Sequence, residues 1–493
     1  MKTWLFWDHW HFDQLQGAEL RQGKAKWVPE GSYVDPLFKG LATWPTVYRD
    51  EESGRWRMLY SADFLPKTVL IAESDDGIRW KPLNCPEIQF QGEKLAPHHL
   101  FTLESGSGGG VYLDPVAEDG FPFKIFGIQH GSPTVERVLR NPNHHFYEVA
   151  KAGGQKRCVV EELTMVSKDG LSWSVDYQAD WGKPHWDPEP PVYAFYNAHT
   201  EKHTMTARPG HGDRRVVAQT SEDARNWSGP ELLLQPDPTD PPMAQFYGMP
   251  VAAYERYYIG LLWIFRHGSS DLVRQYNHDV ALMDAQLAYS FDGVRFQRGV
   301  RESFIQLNEP GEPGSGMLEP SCMVDTGEEI RIYSAAGKHS HGMSRQFRGR
   351  SDGMITVEQH SLRKDGFMYV GSAGGSQGTF LSKPLVLHTD ELKVNAQAPH
   401  GEVLFQITDV RSEPLEGFTF EDSVPFCEQD ELFWRVNWKN RSLVELVGKP
   451  IRLACRLRHA RIYAFRSDFH FLDAQDWHML EDGHSIDTRW FDF

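Results

Sequence analysis

Four carboxyl groups in this chain stand where acid–base chemistry could use them. Asp35 precedes Pro36, shortly before the β-like run Thr43-Trp44-Pro45-Thr46-Val47-Tyr48. Glu319 lies inside the apolar run Met317-Leu318-Glu319-Pro320, where loss of water raises a carboxyl pKa toward that of a general acid. Asp187 and Glu189 flank Pro188, ahead of Val192-Tyr193-Ala194-Phe195-Tyr196. Two carboxyl groups, one protonated and one ionised, form the set that cleaves a glycosidic bond. The plain alternatives are structural: an Asp-Pro turn for Asp35, a Pro-rich loop for Asp187 and Glu189, and a buried Glu–Arg pair for Glu319.

Groups that could hold a substrate lie near the same runs. His98 and His99 open an apolar stretch, and only one ring of such a pair can face a given side of a strand. His339, Arg208 and Arg266 lie near strand ends, where a cation could meet a carboxylate or sulfate on a sugar. Trp44, Tyr193, Tyr247 and Trp263 offer flat rings for stacking, with core packing as the alternative. The chain has 22 histidines but no HExxH spacing and no CxxC pair, so neither a metal nor a cofactor is expected.

The elements that must position these groups announce themselves by a repeat. Ser74-Asp75-Asp76-Gly77-Ile78-Arg79-Trp80 recurs as Ser167-Lys168-Asp169-Gly170-Leu171-Ser172-Trp173. Weaker copies begin at Ser221 and Ser290, and Lys364-Asp365-Gly366-Phe367 reads as a shortened fifth. Each follows a β-like run, and Asp-Gly favours a tight hairpin. These aspartates therefore read as turn holders. A repeated strand–turn–strand unit predicts a radial β-array. Five units are expected before residue 368, the second opening at His98-His99-Leu100-Phe101-Thr102. The short alternating runs after Gly371 predict a β-sandwich. The expected fold class is all-β: a five-bladed β-propeller followed by a β-sandwich. The expected divisions are a segment 1–30 packing on the propeller, the propeller over 31–368, the sandwich over 371–466 and an aromatic tail over 467–493.

The 493 residues carry 68 acidic and 51 basic side chains, a net charge of −17, which leaves nothing to form a basic stripe for nucleic acid. No apolar stretch is long enough to span a membrane. The five scattered cysteines read as reduced thiols, and Asp8 and His9 interrupt the N-terminus before any apolar leader can form. A cytoplasmic protein is the expectation, with a periplasmic or secreted one if a leader has been removed; a homo-oligomer stays open.

The order of the two β-domains resembles five-bladed propeller glycoside hydrolases of the family-32, family-43 and family-68 type. It resembles more closely a bacterial group of glycosidase-like propeller proteins, through Leu5-Phe6-Trp7-Asp8, Tyr112-Leu113-Asp114-Pro115, Tyr247-Gly248-Met249-Pro250-Val251, Leu362–Phe367 and Ala460-Arg461-Ile462-Tyr463-Ala464-Phe465. The resemblance implies an oligosaccharide substrate, hydrolysed at an axial funnel, with a first-blade aspartate (Asp35 here) as nucleophile or base. An exo-acting enzyme on a plant or algal glycan is expected. Asp114 lacks the arginine that precedes the family's Arg-Asp-Pro aspartate and reads as structural. Two alternatives stand beside hydrolysis: a lyase acting on uronic-acid sugars with a His or Tyr base, and a non-catalytic sugar-binding propeller.

Overall fold

The computed structural model describes residues 1–36, 42–62, 67–85, 89–90, 93–94, 98–103, 106–130, 136, 139–140, 142, 147–152, 160–176, 188–209, 213–267, 281–341, 355–375 and 377–484. The described chain is almost entirely antiparallel β-structure. The first sheet holds Ala42–Arg49, Trp56–Ala62 and Lys67–Ser74. The second is built around Phe123–His130 and Val160–Ser167, with Trp173–Asp176 on one edge and Gly106–Ser107 and Tyr112–Leu113 on the other. The third runs Pro188–Asn197, Lys202–Pro209, Val216–Ser221, Glu231–Leu234. A fourth group centres on Tyr257–His267 and Ala281–Ser290, and a fifth on Met317–Asp325, Glu329–Gly337 and Ile355–Arg363. One parallel pairing, Met283 with Met317, joins the last two into a single sheet.

The turn chemistry explains the repeat. Asp76 Oδ1 accepts from the N–H groups of Ile78 and Arg79, both at 2.8 Å, while Ser74 Oγ accepts from Gly77 at 2.9 Å. Asp169, Asp223 and Asp292 make the same pair of bonds to their own turns. Burial alone would raise these carboxyls, but the backbone N–H groups win and hold them below the usual range, Asp223 at about 2. Gly77 has φ 72°, and a Cβ there would stand 2.7 Å from Arg331. The aromatic residue that follows packs across to a neighbouring sheet: Trp80 on Tyr333, Trp227 on Phe126, Phe296 on Phe195. Arg331 and Tyr333 also donate to the carbonyls of Asp76 and Gly77, tying the fifth group to the first. Asp114 is a turn residue too, bonded to Val116 N, Ala117 N and the buried Lys124 at 2.7 Å.

Three sequence expectations need correction. His99–Leu103 does not open the second unit; it pairs with Lys67–Ser74 of the first, because Leu100 is buried against Leu59 and Ile71. Residues 1–30 do more than pack on the first domain. Lys26–Tyr33 pairs with Ile355–Arg363, while Lys2–Leu5, Phe12–Gln16 and Ala18–Gln22 are strands of the C-terminal sheet. The Lys364–Phe367 turn is not a fifth copy of the repeat. Asp365 has φ 62° and is fully buried, and its carboxylate receives both terminal nitrogens of Arg466 at 2.6 Å, Tyr254 Oη at 2.7 Å and Asn395 Nδ2 at 2.8 Å.

That carboxylate ties the ring sheets to the C-terminal sheet, whose centre is the 16-residue strand Lys393–Thr408. One half of that strand pairs with Arg461–Ser467 and the other with Pro450–Arg458, so two runs that look separate in sequence are one element. The aromatic tail contributes the buried strand Phe469–Phe471, paired with Leu385–Leu387, and the helix Ala474–Glu481. Apolar packing crosses the junction: Trp4, Phe6 and Trp7 lie in one cluster with Tyr257, Leu261, Phe405 and Phe465. Arg466→Ala strands Asp365 without its counter-charge and is expected to destabilise the protein by about 3 kcal/mol or more, read from urea unfolding. Among the described residues no helix is long and apolar enough to cross a membrane. Of the five cysteines, Cys85, Cys322, Cys427 and Cys455 are described, and all are free.

Candidate active site

The innermost strands place their first residues around one apolar cluster. Trp44, Tyr193, Tyr247, Trp263, Phe265 and Met317, drawn from four of the five groups, pack together there. Ala42–Arg49 lies beside Met317–Asp325, and Val47 N donates to Cys322 Sγ at 3.3 Å. Trp44 takes the left-handed backbone region at φ 52°, a conformation an L-residue adopts at a cost of about 1 kcal/mol or more when its surroundings demand it.

Asp35 is buried at this end of the ring. Tyr60 Oη donates to its Oδ2 at 2.5 Å, and His98 Nε2 lies 3.0 Å from the same oxygen. Tyr33 Oη is 2.9 Å from Tyr60 Oη, extending the chain of hydroxyls. Burial first, then the neighbouring Tyr33 and Asp35, push the Tyr60 phenol well above its ordinary range, so it remains a proton donor. Against an ionised Asp35, His98 must carry its proton on Nε2. Two donors on one oxygen stabilise the ionised carboxylate.

Glu319 is also buried, on the inner strand Met317–Asp325. Its field reaches both Tyr193 and Tyr247, whose phenols burial raises. Tyr247 Oη and His341 Nε2 are 2.7 Å apart. The Arg208 guanidinium lies 3.8 Å from the centre of the Tyr247 ring, and Phe265 stacks on that ring at 5.4 Å. Arg208 is buried and meets Glu189 at 3.1 Å through Nη2. Its Nε and Nη1 have no hydrogen-bond partner among the described residues. Two nitrogens of this guanidinium are thus buried without the hydrogen bond such groups ordinarily make.

These residues divide into two groups. Asp35, His98 and Tyr60 form one group; Glu319, Tyr193, Tyr247, Arg208, Glu189 and His341 form the other. Trp263 is fully buried between Tyr193 and Tyr247, and its Nε1 donates to Pro320 O at 2.9 Å, so it offers no face for stacking. Tyr247 likewise has its ring occupied. Arg266 is paired with Asp284 at 3.0 Å. His339 is half-buried at the end of the strand Glu329–Gly337. Asp187 lies outside the described residues, as does the side chain of His99. Tyr60 and Tyr33 were not singled out in the sequence; a tyrosine in a β-run carries no mark of the acid it will face. Among the described residues no group of three or more His, Cys, Asp or Glu is placed to hold a metal ion. A cavity of about 640 Å³ opens toward the other ends of the inner strands, beside Tyr196, His199, Arg256 and Met323, and neither Asp35 nor Glu319 lines it.

No family model matches the chain, and no curated protein does. Solved structures similar to it include a Bombyx mori GH32 β-fructofuranosidase (11% identity, TM-score 0.39), with 90% of this chain and 95% of that one covered. Another is a β-1,2-mannobiose phosphorylase from Listeria innocua (10%, 0.42), covering 68% and 95%. A third is an N-acetylgalactosamine deacetylase from F. plautii in complex with blood group B trisaccharide (14%, 0.42), covering 70% and 96%.

Proposed function

We propose that the protein is a glycosidase: a five-bladed β-propeller with a C-terminal β-sandwich that hydrolyses an oligosaccharide at the axial end where the inner strands begin. One observation carries this reading. Asp35 and Glu319 are both buried carboxyl groups, and the strand that bears Glu319 lies beside Ala42–Arg49, which follows Asp35. Asp35 receives two donors on one oxygen, which suits a nucleophile or base. Glu319 is buried on an inner strand within electrostatic reach of the Tyr193 and Tyr247 phenols, which suits the acid that protonates the leaving oxygen. Arg208, with two unsatisfied N–H edges, fits a carboxylate on the substrate, so an acidic sugar is the favoured ligand class.

A second reading, a lyase on uronic-acid sugars, is favoured by the Tyr247–His341 pair beneath Arg208. There His341 would take the proton beside the carboxylate, Tyr247 would give one to the departing oxygen, and Arg208 would neutralise the carboxylate. Incubation with neutral and acidic oligosaccharides separates the two. Hydrolysis adds the mass of one water per cleavage; elimination adds none and leaves an ultraviolet-absorbing unsaturated sugar. Arg208→Ala is expected to raise KM for an acidic substrate by about tenfold or more and to leave KM for its neutral counterpart nearly unchanged, measured by initial rates.

A further inference from the structure

Far from the acid pair, two adjoining clefts of about 570 and 390 Å³ lie where the closing strand Lys26–Tyr33 and the Arg363–Met368 turn meet the C-terminal sheet. They share Tyr369, Gln397 and Arg461. No aspartate or glutamate lines either cleft, although acids outnumber bases 68 to 51 in the chain. Five cations do: Arg21, Lys24, Lys26, Arg363 and Arg461. Arg21 is paired with Glu19 and Arg363 with Asp430. Lys24, Lys26 and Arg461 have no carboxylate partner among the described residues, so a local charge of +3 remains uncompensated within a molecule of net charge −17.

The walls between these cations are aromatic. The Tyr369 and Tyr463 rings pack at 5.6 Å, Arg461 lies 5.1 Å from the Tyr369 ring centre and Arg363 4.9 Å from that of Tyr463. Tyr369 is half-buried and Arg461 exposed, so each still presents a face to the cleft. His459, which also lines the cleft, holds φ 48° with its N–H on Ser372 Oγ at 3.2 Å, which fixes the rim.

We propose that this double cleft is a second carbohydrate site, one that binds an acidic oligosaccharide without cleaving it. Flat rings beside cations match a sugar whose face is apolar and whose edge bears a carboxylate. Two adjoining clefts of about 570 and 390 Å³ give room for several linked rings, far more than a lone inorganic anion fills. A long polyanion such as nucleic acid would extend beyond the local +3 into the negative field of the rest of the surface. The choice of a carbohydrate as the anion rests on the glycosidase reading; the cationic cleft itself does not.

The test is calorimetric titration of the full chain carrying Asp35→Asn, which keeps the probe intact, together with Arg208→Ala, which removes the carboxylate contact at the acid pair. Trigalacturonate, maltotriose and inorganic sulfate are the probes. Trigalacturonate is expected to bind more tightly than either of the others. Arg461→Ala and the pair Lys24→Ala with Lys26→Ala should each weaken binding by about tenfold, and raising the salt should weaken it further. Tyr369→Ala should weaken trigalacturonate and leave sulfate unchanged. Binding of trigalacturonate that survives all these substitutions, or no binding at all, overturns the proposal. So does sulfate binding as tightly as trigalacturonate, which would make the cleft a simple anion site. Loss of turnover in every sugar assay, with this binding intact, would count against the glycosidase reading alone.

Discussion

Asp35→Asn and Glu319→Gln are each expected to lower turnover of a cleaved oligosaccharide by about 10²–10⁴-fold, with a much smaller change in KM. Both amides keep the shape of the acid they replace, so packing is disturbed little. In Asp35→Asn the carbonyl oxygen can still accept from Tyr60, but the negative charge that favours both Tyr60 and His98 as donors is gone. In Glu319→Gln the group loses its acidic proton while its place on the strand Met317–Asp325 is retained. Fluorescence and thermal unfolding of each variant separate a chemical loss from a folding loss. A leaving group that needs no protonation, such as an activated aryl glycoside, should restore much of the rate in Glu319→Gln and little in Asp35→Asn. Equal restoration in both would reverse or dissolve the assigned roles.

Acid lability is the second large effect, and it arises away from the candidate site. His11 is completely buried among Trp4, Trp10 and Phe471, and neither ring nitrogen has a hydrogen-bond partner among the described residues. Burial, helped by Lys383, lowers its pKa from 6.5 to about 3. His360, on Ile355–Arg363, is buried in the same way and lowered to about 4 by burial alone. Both stay neutral in the fold, while in the unfolded chain they charge near 6.5. The unfolded state therefore binds more protons below pH 6.5, and stability falls as pH falls, for His360 to about pH 4 and for His11 to about pH 3. Each group costs about 1.4 kcal/mol per pH unit in that window, so the two together remove roughly 5 kcal/mol between pH 6.5 and 4.5. Urea midpoints at pH 7 and pH 4.5 measure this. His11→Phe, which suits an aromatic nest, should flatten the acid limb by about half. An unchanged limb in His11→Phe and in His360→Phe would rule this cause out.

Local chemistry was legible in the sequence and long-range partnership was not. The Ser-x-Asp-Gly turns read correctly because the bonds that make them lie within three residues, as Asp76 to Ile78 and Arg79 shows. By the same measure Asp365, which sits in a similar local string, was misread as a turn holder. Its partner Arg466 is 101 residues away, and nothing in the Lys364–Phe367 tetrapeptide points to it. The return of Lys26–Tyr33 to the last strand of the ring, and of Lys2–Leu5 to Arg461–Ser467, were hidden for the same reason. At the candidate site, Glu319 could be singled out because a carboxyl inside an apolar run is unusual, and Asp35 because the resemblance implies a first-blade aspartate there. Tyr60, Tyr33 and the Tyr247–His341 contact could not be seen, since each depends on strands that meet only in the folded ring. Trp263 looked like a platform because indole serves stacking and core alike, and only its burial against Pro320 decides between them.

The most direct test of the two-carboxylate account is cleavage of an accepted oligosaccharide in water enriched in oxygen-18. Hydrolysis by Asp35 and Glu319 predicts one heavy oxygen in the new hemiacetal product at each cut, at a turnover that exceeds any solvent exchange of the sugar. It also predicts no ultraviolet-absorbing product and a loss of the signal in Asp35→Asn. An unlabelled, unsaturated product whose formation survives Asp35→Asn and is lost with Tyr247→Phe would contradict it.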